Sequence, residues 1–112
     1  MSLADDFFAS RPEKDLRSVE IEREDGKIFT FYFETMTFRD LSKLQKKHPN
    51  FLNEQTADAM VDLVIMKSLD AQGNKVFDHG HKFHLMSEEL EVIPKMFGAI
   101  FNSASEEEQE KN

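Results

Sequence analysis

The chain has 112 residues, a formal net charge of −8 and no cysteine. This length suits one domain with a single modest core. The charge argues against nucleic-acid binding, whose phosphate contacts need a basic surface, and the missing thiol excludes disulfides, a thiolate nucleophile and Cys-ligated zinc. No apolar run approaches the roughly 18–20 residues of a membrane span. Asp5 and Asp6 stand where a signal peptide would be basic. These features lead to the expectation of a cytoplasmic domain, since an unstapled chain suits a reducing compartment. Eleven Phe and six Met against one Tyr and no Trp describe a core of few large anchors. The Met residues either fill gaps or supply an adaptable surface.

Residues 1–16 read as a loosely attached arm. Phe7 and Phe8 either dock on the domain or sit in a short helical turn, and Arg11-Pro12 breaks any helix there. A hairpin of 17–23 and 27–34 follows. Val19 and Ile21 alternate with polar neighbours, and Asp25-Gly26 suits a tight turn with positive φ at both centres. Phe29, Phe31 and Phe33 share one face and are expected to point inward. Ile28, Thr30 and Tyr32 share the other, which is too apolar for ordinary surface.

Thr37 reads as the cap of a helix over 37–47, with Asp40 three residues on and Met36 placed as a staple. Phe38, Leu41 and Leu44 recur at helical spacing. The opposite side carries Arg39, Lys43, Lys46 and Lys47, a stripe that is either simply solvated or a docking face for an acidic partner. Phe51 and Leu52 anchor the next loop. A central helix over 54–69 shows Ala57, Met60, Val61, Val64, Ile65 and Leu69 on one face, widened by Leu63 and Met66. It is therefore expected to be covered on more than one side. The turn Asp70–Lys75, with Gly73 free to go left-handed, ends it, and Val76 and Phe77 return to the core. A short helical turn over 81–86 and a helix over 88–102 close the domain. Ser87 is the expected cap of that last helix, its apolar stripe includes Leu90, and Pro94 either kinks it or marks its true start. From Ser103 to Asn112 the composition is that of a disordered acidic tail. The whole is an α+β domain over 17–102, a hairpin with three to four helices packed on one face.

Little of this carries chemistry. The four glycines are scattered and form no phosphate loop, and no Ser sits in a nucleophile elbow. His79, His81 and His84 beside Asp78 are imidazoles that zinc or nickel would accept, yet their spacing fits no structural zinc pattern and Gly80 gives a poor frame. No catalytic residue, cofactor or metal is expected. A hairpin apolar on both faces needs two covers, and one layer of helices supplies one. The candidate partner surface is accordingly Ile28, Thr30 and Tyr32 with Met66 and Met86. Phe7 and Phe8, or a homo-oligomer contact, are the other covers the sequence leaves open.

The order of elements resembles the small tail assembly chaperones of long-tailed, lambda-like phages and prophages. The resemblance covers about residues 17–102. It rests on a hairpin, a Thr-x-x-Asp helix (Thr37 to Asp40), and a longer helix ending in an Asp-x-x-Gly…Phe turn (Asp70, Gly73, Lys75, Phe77). The His-rich stretch and Pro94 depart from the pattern. The resemblance implies a non-enzymatic role: binding the tape measure protein, keeping it soluble, recruiting tail tube protein and leaving before the particle is finished. A minor structural tail protein and a small His-site metal-binding protein are the alternatives.

Overall fold

A computed structural model of the chain describes residues 2–11 and 16–102. Its elements are α1 (Leu3–Ala9), β1 (Arg17–Glu22), β2 (Ile28–Phe33), α2 (Phe38–Lys47), α3 (Ala57–Lys67), a 3₁₀ turn (His79–His81), α4 (Lys82–Met86) and α5 (Val92–Phe101). The expected α+β order holds, with a two-stranded antiparallel hairpin ahead of the helical layer. The predicted acidic tail lies outside the described residues. Among those described, no helix is long and apolar enough to cross a membrane.

The register sets Val19 opposite Phe31 and Ile21 opposite Phe29, so these four side chains share the face turned to the core. Val19, Ile21 and Phe33 are buried there. Phe31 is half-buried and meets the Phe77 ring at 5.5 Å. Phe29 departs from the inward expectation, remaining 47% exposed, because it sits near the hairpin tip, farthest from the buried Phe33 end. The tip itself is also corrected. Arg23 N–H donates to the Lys27 carbonyl at 2.8 Å and Gly26 N–H to the Arg23 carbonyl at 2.9 Å. Only Gly26, at φ 88°, is left-handed there. This is a three-residue loop, a type I turn closed by a left-handed glycine.

The same loop recurs after the central helix. Asp70 N–H donates to the Asn74 carbonyl at 2.8 Å, Gly73 N–H to the Asp70 carbonyl at 2.9 Å, and Gly73 has φ 85°. The Asp70 carboxylate accepts from the Gln72 and Asn74 amides, both at 2.9 Å. Leu69 and Lys75 pair across this loop, and Leu69 also pairs with Tyr32. Its N–H and C=O exchange bonds with Tyr32 at 2.7 and 2.8 Å. Leu69, predicted as the last turn of a helix, is thus extended.

The α2 start forms as expected. Asp40 N–H donates to Thr37 Oγ1 at 3.2 Å and Thr37 N–H to Asp40 Oδ2 at 3.0 Å, a reciprocal capping box. Phe38, however, is 85% exposed: as the first residue of α2, it turns away from the core that Leu44 enters. Phe51 is fully buried while Leu52, beside it, faces out. The central helix begins at Ala57 and not at 54, because Thr56 caps it (Ala59 N–H to Thr56 Oγ1, 3.1 Å). The Gln55 side chain instead donates to the Phe51 and Leu52 carbonyls. Covered on more than one side, as expected, α3 buries Ala59, Val61, Leu63, Val64 and Ile65.

The last helix starts at Val92. Ser87 does not cap it; its Oγ donates to the Phe83 carbonyl at 3.0 Å and it closes α4. Leu90, now in a turn, is 91% exposed. Pro94 falls in the first turn of α5, where the missing N–H has no intrahelical partner to lose. Ile93, Met96, Phe97 and Ile100 lie buried on the face that α5 turns to α3 and β1. Phe51 meets Phe97 and Phe101 edge-on at 6.0 and 5.4 Å. Of the two roles open to Phe7 and Phe8, the helical one holds. Ser2 caps α1, which buries no residue, and Phe8 lies under Arg11 at 5.0 Å.

Candidate functional site

The most polar point inside the fold is Asp62, on α3 between Val61 and Leu63. Its side chain is 6% exposed. A buried carboxylate needs partners, and three side chains from α2 and α4 supply them. His48, capping the end of α2, places Nε2 at 2.7 Å from Oδ2. Lys47 brings its ammonium to 3.3 Å from the same oxygen. Lys82, first residue of α4, lies 3.0 Å from Oδ1 and also 2.6 Å from Oδ1 of Asp58, one helical turn earlier. Burial pushes the Asp62 carboxyl up, but hydrogen bonds from His48, Lys82 and Lys47 together outweigh it and hold the group below its ordinary value. Since Asp62 is then an acceptor only, His48 Nε2 carries the proton between them. Lys82 is held more firmly charged, chiefly by its bond to Asp58, against the opposing effect of burial, with Asp62 adding to it.

A second buried pair lies at the far end of α3. Lys67 Nζ bonds Asp40 Oδ2 at 2.8 Å and the Thr35 carbonyl at 3.5 Å. Burial again pushes Asp40 up, and the bonds from Lys67 and the Thr37 amide bring it down below the usual carboxyl range. The two networks clamp α2 to α3 at both ends, and the Asp62 network ties in α4.

The Asp62 cluster also gives the metal question its sharpest form. His48, Asp58 and Asp62 bring ligand atoms within 4.8 Å of one another, the one such group among the described residues. The donor set has the right types for zinc, but the ammonium groups of Lys47 and Lys82 already sit on its carboxylates. A divalent ion would have to displace both, so the residues present do not fit one. The three histidines singled out from the sequence stand elsewhere, exposed on the 3₁₀ turn and α4. His81 Nδ1 accepts from the Asp78 amide at 3.0 Å and serves as a local cap.

Beside Asp62 opens a cavity of about 310 Å³ between α2, α3 and the segment after the second loop. Leu44, Ile65 and Met66 form its apolar part, and Lys43, Lys47, Lys75 and His79 supply most of its polar lining. It offers an apolar seat with a largely cationic margin, on which Asp62 and Asp78 are the acidic residues.

The predicted partner surface is partly assembled. Ile28, Thr30 and Tyr32 do lie on the sheet face opposite the core, with Ile28 55% exposed, Thr30 exposed and Tyr32 half-buried. Pairing places Tyr32, Leu69 and Lys75 side by side on that face, so it runs on to the cavity margin at Lys75. Met66 joins through the cavity. Met86, exposed at the end of α4, is not among the residues lining the cavity. Sequence reasoning missed His48, Asp58, Asp62 and Lys82. The available signal was Asp62 itself, the one charge in the apolar run from Met60 to Met66. A scan of protein-family models, a search of curated proteins and a search of solved structures each find no match to this chain.

Proposed function

We propose that this chain is a non-enzymatic tail assembly chaperone of a long-tailed phage or prophage. It binds a helical segment of the tape measure protein, helps recruit tail tube protein and is not retained in the virion. The observation that carries the reading is the outer sheet face: Ile28 and Thr30 are exposed on it, and α1, the nearest element in sequence, buries nothing. An apolar strand face left open on a small domain is the kind of surface that receives a partner. The continuation of that face to the cavity, with adaptable Met66 along the way, suits contacts that must form and then release. The local forms of the resemblance support the reading as well: the Thr37–Asp40 capping box and the left-handed Gly73 turn are both present.

The test is co-expression with segments of the neighbouring tape measure gene. Ile28→Asp, at an exposed strand position, is expected to leave the fold intact and to lose the ability to keep the tape measure soluble. If the variant is folded by circular dichroism and still keeps the segment soluble, the outer face is not the binding surface. Mass spectrometry of purified particles checks release; this chain at stoichiometric level in the particle contradicts the chaperone role.

A further inference from the structure

On a chain of net charge −8, α2 carries a run of cations. Arg39, Lys43 and Lys46 recur at spacings of four and three, all exposed, so they line one helix face. Three other cations of the fold are engaged: Lys67 with Asp40, Lys82 with Asp58 and Asp62, Arg23 with Glu88. Among the described residues, Arg39, Lys43 and Lys46 make no ion pair. The nearby carboxylates Asp40 and Asp62 are already taken by Lys67, Lys82, Lys47 and His48.

The chain carries a complementary segment, and the fold brings its start near the end of α2. Glu106, Glu107, Glu108 and Glu110 fall within five residues. The helix before them, α5, ends at Phe101, whose ring lies 5.4 Å from that of Phe51. Phe51 in turn donates its N–H to the carbonyl of His48, the cap of α2. The chain therefore leaves the fold beside the C-terminal end of α2. From Asn102, eight further residues reach Glu110, a span of up to about 28 Å when extended. The ten residues of α2 rise only about 15 Å. About 13 Å of that reach is then available to bridge from Asn102 to the end of α2, with Glu110 still able to follow the helix along its length.

We propose that Glu106–Glu110 lies on the Arg39, Lys43 and Lys46 face of α2 as a tethered acidic cover. Individually such exposed pairs are weak, but the tether supplies an effective concentration on the order of millimolar. From Ser103 to Asn112, Ala104 is the sole apolar residue, so the contact is electrostatic and salt-labile. An acidic partner segment approaching α2 or the Lys43 side of the cavity competes with the tail, while a neutral or basic one does not. The proposal concerns the α2 face and is independent of what binds the sheet.

Because the chain has no cysteine, Gln109→Cys gives one attachment point for a nitroxide on the full chain. At low salt the amide signals of Arg39 and Lys43, remote from where the tail starts, are expected to lose at least about half their intensity. They recover near 0.5 M salt, where the Debye length falls to about 4 Å. Combining the label with Glu106→Gln, Glu107→Gln and Glu108→Gln is expected to restore both signals at low salt. Unaltered Arg39 and Lys43 signals overturn the proposal. So does equal broadening in the neutralised variant, which would reflect tether length alone. Broadening seen only when spin-labelled chains are mixed with separate isotope-labelled chains assigns the contact to a second copy and overturns it too.

Discussion

Asp62 sits where a carboxylate is least welcome, and three cationic or proton-donating side chains from outside its own helix keep it ionised. Removing its charge leaves the largely buried His48 ring without its ionised acceptor. Asp62→Asn is expected to cost about 2–3 kcal/mol, below the usual range for a broken buried pair because Lys47 and Lys82 can turn to water. The pH dependence has a definite sign. Asp62 and Asp40 both titrate below their ordinary value of 3.8, so in that range the unfolded chain binds more protons than the folded one. Their contribution is complete above that value and is lost as pH falls through the lower native values. Urea unfolding from pH 7 to pH 3 is expected to show stability falling below about pH 4, with a shallower fall in Asp62→Asn. Identical slopes would mean the carboxylate is not held as described. None of this partnership was legible in the sequence. His48 and Asp62 lie fourteen residues apart, and only the packing of α2 and α4 on α3 brings their charges together. The Thr37–Asp40 box was legible because both halves lie within one helical turn.

At the scale of elements, the two loops closed by Gly26 and Gly73 show what local chemistry specifies and where it stops. Both were expected as turns from their Asp and Gly content, yet the loop type follows from where the glycine falls, one residue before the strand resumes. At neither site does an added Cβ meet any atom within 4 Å, so the cost of replacing glycine is backbone conformation alone. Gly73→Ala is expected to destabilise by about 1–2 kcal/mol. Gly73→Asn should recover much of that, because a short polar side chain tolerates the left-handed region. Equal urea midpoints for the two variants would contradict the argument. Helix limits were legible to a lesser degree. The start of α3 moved to Ala57 because Gln55 spends its amide on the preceding turn, a choice no apolar periodicity reveals. The start of α5 moved because Ser87 serves the helix behind it.

Across the whole molecule the helices are joined by charge as well as by apolar contact. The Asp62 and Asp40 networks span α2, α3 and α4, while Arg23 at the hairpin tip reaches Glu88 after α4 in a paired fork of 2.6 and 2.9 Å. The inward core of α3, Val64 above all, was readable from hydrophobic spacing, since burial of such residues is the main force any fold of this size has. Which apolar residues stay outside was not, because Phe38 and Leu90 differ from buried neighbours only in the direction the assembled helices give them. The self-neutralised Asp58–Asp62 group has a global consequence. Millimolar EDTA is expected to leave the melting temperature unchanged, and added zinc should not raise it. A zinc-dependent rise of several degrees would show that the lysines yield to a metal.

The single pairing between Tyr32 and Leu69 closes one end of an otherwise open strand edge, and it should be visible as a break in rhythm. Along β2, the amides of Phe29, Phe31 and Phe33 face β1, whereas those of Thr30 and Tyr32 face away. In amide hydrogen exchange the protection should alternate from residue to residue until Tyr32, whose proton is held by Leu69 and exchanges slowly against the alternation. The free edge at Thr30 would exchange fast in the isolated chain. The outer edge of β2 is therefore closed at its inner end and open at Thr30, while the hairpin tip is held separately to the segment after α4 by the Arg23–Glu88 fork.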